Sequence, residues 1–125
     1  MRKIKFRAWD NNKKKMVYSD DGNQEYGWFT GNDGCMICVR IEEEKDVKLN
    51  NIMQYTDVED KNNKGIYEGD IIYIKDRYSS YNDIVIYENG FFKLDDEEDE
   101  TLHSAVSFWD GEVVGNIYEN KELLK

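Results

Sequence analysis

Hydrophobic and polar positions alternate from the start of the chain. In residues 3–10 (KIKFRAWD), Ile4, Phe6 and Ala8 fall on one side and Lys3, Lys5 and Arg7 on the other, the period-two pattern of a half-buried strand. Asn11-Asn12-Lys13 interrupts with turn formers, and residues 15–19 (KMVYS) resume the extended pattern, so a β-hairpin is predicted. Residues 19–34 are rich in Gly, Asn and acids and read as loop, short strand over 26–30, then loop. Residues 35–41 (CMICVRI) form an apolar run suited to a buried strand. Residues 42–51 (EEEKDVKLNN) are the one stretch that suggests a helical turn. Residues 52–56 are apolar and aromatic, and 60–65 (DKNNKG) form a turn cluster.

The second half continues in the same style. Residues 70–76 and 83–88 read as strands joined by a tip around Tyr78-Ser79-Ser80-Tyr81. Asn89-Gly90 is the strongest hairpin signal in the chain, followed by a short strand over 91–94. Residues 95–100 (DDEEDE) are a solvated charge run. Residues 104–109 suggest a short strand, Asp110-Gly111 a turn, residues 112–118 the last strand, and the tail one helical turn. No internal repeat is evident. Strands recurring about every eight to twelve residues between Gly and Asn turns predict a mainly β, β-rich α+β fold. The expected architecture is an N-terminal β-hairpin lobe over residues 1–50 and a C-terminal SH3-like or barrel-like lobe over 51–125, which can pack as one domain. One or two short helices complete it.

Composition narrows the class. A chain of 125 residues is one domain, or two small lobes sharing a core. At 14% aromatic it is too rich in rings to be disordered, even with 35% charged residues. It has no run of about 18 apolar residues to span a membrane, and the start, MRKIKFRAWD, lacks the apolar core of a signal peptide. Two cysteines make no secreted disulfide framework, so a cytoplasmic location is expected. The net charge of −10 is unevenly spread: residues 1–15 carry seven basic side chains against Asp10 alone, a local +6 that leaves −16 for the remaining 110 residues. An acidic chain is a poor ligand for nucleic-acid phosphates, which are bound by Lys and Arg. No direct nucleic-acid binding is expected.

Candidate chemistry is thin. Residues 60–65 begin like a calcium loop, but Lys64 stands at the fifth place, where a ligand is needed, and Ile71 at the twelfth, where a bidentate Glu is needed. Cys35-Met36-Ile37-Cys38 has metal-type spacing without a second pair, and residues three apart on a strand face opposite sides. His103 is the only histidine and has no nucleophile motif beside it. No catalytic, cofactor or metal residue is therefore assigned. The block MQYTDVEDKNNKGIYEGDII over 53–72 reads as the corner of a small β-fold. Tyr55, Tyr67 and Ile71 serve as core anchors and Gly69 permits the bend, while Glu68 and Asp70 face out or cap amides. Asp60 and Glu68 are expected to tolerate amide substitution. The basic residues Arg2, Lys3, Lys5 and Arg7 and the acidic residues Asp95, Asp96, Glu97 and Glu98 are the candidate interaction residues, able to attract one another within or between copies.

Three blocks, KFRAWD at 5–10, the 53–72 block and GNIYENKELL at 115–124, together resemble the YopX family of phage and prophage proteins. The family pattern has Gly where this chain has Asp57, Gly where it has Asn63 (with Gly65 close by), and Pro where it has Lys121. All three departures lie in turns and imply local changes of turn type. The resemblance implies a phage or prophage accessory protein and carries over no catalytic residue. The resulting expectation is a non-enzymatic protein acting through protein–protein contact and self-assembly, a homo-oligomer or a binder of a host protein, without cofactor. The alternative is an acidic DNA mimic that inhibits a host nucleic-acid enzyme.

Overall fold

The computed structural model describes residues 3–75, 78–96 and 101–124. The chain is mainly β, with a sheet curled into a half-barrel and one short α-helix. It divides into two compact units, Ile4–Gln54 and a second formed chiefly by Tyr55–Lys125.

The first unit contains β1 (Phe6–Asp10), β2 (Lys15–Tyr18), β3 (Tyr26–Thr30), β4 (Met36–Arg40), β5 (Val47–Leu49) and the first part of β6 (Asn51–Glu59). β1 pairs antiparallel with β2 and, on its other edge, with β6, where Ala8 lies between Val17 and Ile52. A separate antiparallel sheet has the order β3-β4-β5, with rows Tyr26/Arg40/Val47 and Trp28/Cys38/Leu49 on one face. Strand alternation turns those rows to one side, and they close with Ala8 and Val17 into a core of Ala8, Val17, Tyr26, Cys38 and Leu49, flanked by Trp28 and Ile52.

The second unit holds the rest of β6, then β7 (Gly65–Tyr67), β8 (Asp70–Lys75), β9 (Ser80–Glu88), β10 (Phe91–Leu94), α1 (Leu102–Trp109) and β11 (Glu112–Asn116), ending in a 3₁₀ turn at Lys121–Leu124. Its main antiparallel sheet has the order β10-β9-β8-β11. Asn89 (φ 54°) and Gly90 (φ 90°) form the two-residue loop between β9 and β10, with Glu88 opposite Phe91. Positive φ at both residues is what a type I′ hairpin requires. α1 packs on β10 and β8. Leu102, Ala105 and Val106 join Ile66, Ile72, Ile74, Val85 and Leu94 in the core.

Several local expectations are corrected. Residues 42–51 form no helical turn: Val47–Leu49 is a strand paired with β4, and β6 starts at Asn51. Its apolar positions had too little helical spacing to bury, whereas β4 offered an open edge. Residues 104–109 are helix, not strand. Leu102, Ala105 and Val106 lie at i, i+3 and i+4 and so share one helical face, and the Thr101 hydroxyl accepts from the Ser104 N–H as an N-cap. Arg7, placed on the solvent side by alternation, is 3% exposed, while Ile4 on the supposed core side is 68% exposed. β1 is covered on both faces, so alternation assigns no outside to it. The DDEEDE run is described only at Asp95 and Asp96, and Arg2, Glu97 and Glu98 lie outside the described residues.

The cap gives a direct check on the helix. Thr101→Ala should lower unfolding stability by about 1 kcal/mol in urea, the usual cost of an N-cap. A strand at this position would leave the exposed Thr101 substitution near neutral.

Candidate functional site

The first unit holds a buried ionic cluster. Asp10 ends β1, and its carboxylate folds back over the hairpin loop: Oδ1 accepts from the backbone N–H groups of Asn12 (3.0 Å) and Lys13 (3.2 Å). This is an Asx turn, the local reason Asp suits this corner. From the facing sheet, the Tyr26 hydroxyl donates to Oδ2 at 2.6 Å and Arg40 Nη1 donates to both carboxylate oxygens at 2.8 Å. Arg40 Nε donates to Glu42 Oε1 at 2.6 Å. Asp10 is fully buried and Arg40 is 7% exposed.

Burial by itself raises the Asp10 carboxyl, but hydrogen bonds from Tyr26, Arg40 and Lys13 and the Arg40 charge outweigh it and hold it at about 2. Burial and the bond to Asp10 push the Tyr26 phenol up. Bonds to Glu42 and Asp10 raise the Arg40 guanidinium further. Cys38 rises to about 11 through burial and the nearby Asp10 and Asp21 charges, so it stays a thiol and a packing residue. None of these groups titrates near neutrality, where a general acid or base must work. The arrangement ties the end of β1 to β3 and β4. It forms one wall of a concavity of about 340 Å³ lined by residues of Trp9–Asn12, Arg40 and Val47–Asn51.

From Tyr55 on, the block over 53–72 builds a second polar structure, in the second unit. Tyr55 and Tyr67 pair across β6 and β7 with ring centroids 5.2 Å apart, and a Cβ on Gly65 would lie 2.8 Å from the Tyr55 ring. Tyr55, Tyr67 and Ile71 are buried at 6%, 6% and 0% exposure. Gly69 has φ 85°, a left-handed value that a β-branched residue resists. Its N–H donates to Val85 O and its carbonyl accepts from Ile117 N–H. Asp70 is buried and caps the Tyr67 N–H at 2.8 Å. Asp57 (φ 64°) and Asn63 (φ 63°), the two positions where the chain departs from glycine, both sit in the left-handed region. Asn63 keeps its turn, but Asp57, expected in a turn, lies within β6 where the pairing with β7 shifts register; in both places the left-handed backbone is kept by Asp or Asn, the residues other than Gly that tolerate it best.

Asp60 requires a correction. It is 6% exposed. Its Oδ1 accepts from the Asn62 and Lys64 N–H groups and its Oδ2 from Val113 N–H, all at 2.9 Å. Burial raises this carboxyl, but these backbone donors and Lys64 bring it below its ordinary value. It is the brace of the corner, tying the turn to β11.

The candidate interaction residues scatter. Lys3 is exposed, Lys5 lies 3.7 Å from Asp20, and Arg7 is buried. Asp95 and Asp96 are exposed, and the Asp96 N–H is held by the buried Asp83 carboxylate. Cys35 is exposed while Cys38 is in the core, so the pair does not converge. His103 is exposed on α1. Sequence reasoning missed the Asp10–Arg40 pair, although a signal existed: an arginine between Val39 and Ile41 in an apolar strand calls for a buried partner.

A family model described as YopX protein matches residues 5–125. The crystal structure of protein EF1440 from Enterococcus faecalis is similar in fold, with a TM-score of 0.71, 25% identity and 100% of both chains covered. The crystal structure of protein yopX from Bacillus subtilis is also similar, with a TM-score of 0.66, 24% identity, and 100% of this chain and 98% of that one covered. No curated protein matches the chain.

Two measurements test this geometry. Asp10 binds its proton more weakly folded than unfolded, so its contribution is present above pH 4 and is lost as pH falls from about 4 to 2. The drop from 3.8 to about 2 corresponds to about 2 kcal/mol. Urea midpoints at pH 5 and pH 2.5 should show Asp10→Asn losing less stability on acidification than the wild type. Second, Asp60→Asn should cost about 1–3 kcal/mol at pH 7, because an amide nitrogen cannot accept from the N–H groups Asp60 now serves.

Proposed function

The chain belongs to the YopX family, and from that membership and its surface we propose that it is a non-enzymatic phage or prophage accessory protein that works by protein–protein contact and self-assembly. The supporting observation is the outward face of the β3-β4-β5 sheet. Register places Gly27 opposite Val39 and Phe29 opposite Ile37, on the face away from Tyr26, Trp28, Cys38 and Leu49. Ile41 continues that row just past β4, its side chain reaching toward Gly27. Phe29 and Ile41 are 50% and 54% exposed, and Ile37 and Val39 are half-buried. The solvated side of an antiparallel sheet is ordinarily polar, and a contiguous apolar patch marks a contact surface. β3 lies at the edge of this sheet, where unpaired backbone groups can add to a contact.

A second copy is the partner that best fits the face. An apolar patch is complementary to itself, as an isologous interface requires. Charge supports this less. Of the basic residues near the start, Arg7 is buried and Lys5 already faces Asp20, so the apolar surface carries the reading.

Sedimentation velocity at micromolar concentration should show an oligomer, and Phe29→Asp with Ile41→Asp should reduce it to a folded monomer with an unchanged circular dichroism spectrum. A wild type that stays monomeric contradicts self-assembly. A monomer that inhibits a host nuclease or polymerase points instead to the acidic DNA mimic.

A further inference from the structure

The concavity beside Arg40 carries an inference separate from assembly. We infer that this concavity in the first unit is a binding site for a small neutral polyhydroxylated molecule, a sugar unit, held by Arg40 and by the carboxamides of Asn12, Asn50 and Asn51. Its volume of about 340 Å³ falls within the range of small-molecule pockets, about 300–1,000 Å³.

The first argument is the state of Arg40. Its residue is 93% buried by the complement of its 7% exposure. Nη1 is used by Asp10 and Nε by Glu42, while Nη2 makes no hydrogen bond among the described residues. A buried guanidinium is normally saturated, since unpaired polar groups away from water are costly. Here Nη2 is neither saturated nor sealed off, and the residue lines the concavity. The donor is also rigidly placed, because the other two nitrogens of its plane are pinned. An acceptor oxygen meeting Nη2 loses little entropy on the protein side.

The second argument is the rest of the lining. Asn12, Asn50 and Asn51 line the same concavity, and their side chains make no hydrogen bond among the described residues. Asn11 differs, since its carboxamide is held by Lys14 Nζ at 3.1 Å. Each free carboxamide offers both a donor and an acceptor. Hydroxyl groups present the same dual character, so a ring bearing several of them satisfies the set, whereas a pure acceptor or pure donor leaves half of it unmet. Trp9 and Leu49 supply apolar wall for the C–H surface of such a ring.

Charge decides between neutral and ionic ligands. Arg40 already carries the carboxylates of Asp10 and Glu42, and the exposed Lys48, which also lines the concavity, adds to the repulsion of a cation. An anion would be a third carboxylate on one guanidinium, and a cation would face the N–H groups of Nη2. A neutral hydroxyl is the acceptor that meets neither penalty.

The test is titration of the full chain with glucose, galactose and N-acetylglucosamine, followed by proton–nitrogen NMR at the Trp9 indole and the Arg40 side chain, with sodium acetate as the ionic comparison. At least one sugar should give saturable shifts with a millimolar dissociation constant. Asn50→Ala and Asn12→Ala, both at exposed positions, should each weaken it about fivefold, the worth of one hydrogen bond, at unchanged urea midpoint. The inference is overturned if no sugar saturates, if the shifts persist unchanged when Asn12→Ala and Asn50→Ala are combined, or if acetate binds more tightly than every sugar.

Discussion

Buried carboxylates that accept backbone N–H groups are the interaction on which this structure rests. Short strands joined by tight turns leave amide donors at every corner, and a buried donor without a partner costs about 1–3 kcal/mol. Asp10 takes two such donors, Asp60 takes three, and Asp70 takes one. Asp83 takes those of Ile84 and Asp96. Asn116 does the same for Tyr118 and Glu119 in the closing block. There Gly115 is required by contact, since a Cβ would come within 2.5 Å of the Asn120 carboxamide. A chain without proline turns its corners with Asx side chains and left-handed backbone.

This use of acids changes the meaning of the net charge. A chain at −10 looks like a solvated surface or a mimic of a polyanion. Asp10, Asp60, Asp70 and Asp83 are all buried and committed to structure. Their environments differ in sign: bonds from Tyr26, Arg40 and Lys13 hold Asp10 low, whereas burial and the neighbouring Asp96 and Asp95 push Asp83 up. The first favours the fold above its titration and the second below its own, so the two oppose each other in acid.

The β3-β4-β5 sheet is apolar on both of its faces. Its inner side ends in an ion pair, Arg40 with Asp10, and its outer side shows Phe29, Ile37, Val39 and Ile41. A buried pair of this kind contributes little net stability, because desolvation offsets the attraction, but losing one partner costs about 3–5 kcal/mol. It therefore acts as a register device: only one pairing brings Tyr26 and Arg40 together over Asp10. The same register sends the apolar residues outward and sets Arg40 in the lining of the concavity. The exposed apolar face and the concavity both follow from that pairing.

What the sequence determined by itself was local. Alternation and turn residues identify the β1–β2 hairpin, the Asn89-Gly90 turn and the short terminal 3₁₀ turn, because each is decided by neighbours a few residues apart. The three family blocks are legible for the same reason: each is a strand with its own turn, and the turns demand Gly, Asn or Asp at fixed places. α1 was not legible: residues 104–109 suggest a strand, and the spacing of Leu102, Ala105 and Val106 behind Thr101 shows its meaning only in the packed helix. Tertiary structure alone decided which charges are inside. Arg7 lies in a strand covered on both faces, Asp60 braces Val113 from 53 positions away, and Asp10 meets Arg40 from 30. A carboxylate's character depends on whether donors converge on it, and those donors come from strands that only the folded sheets bring together.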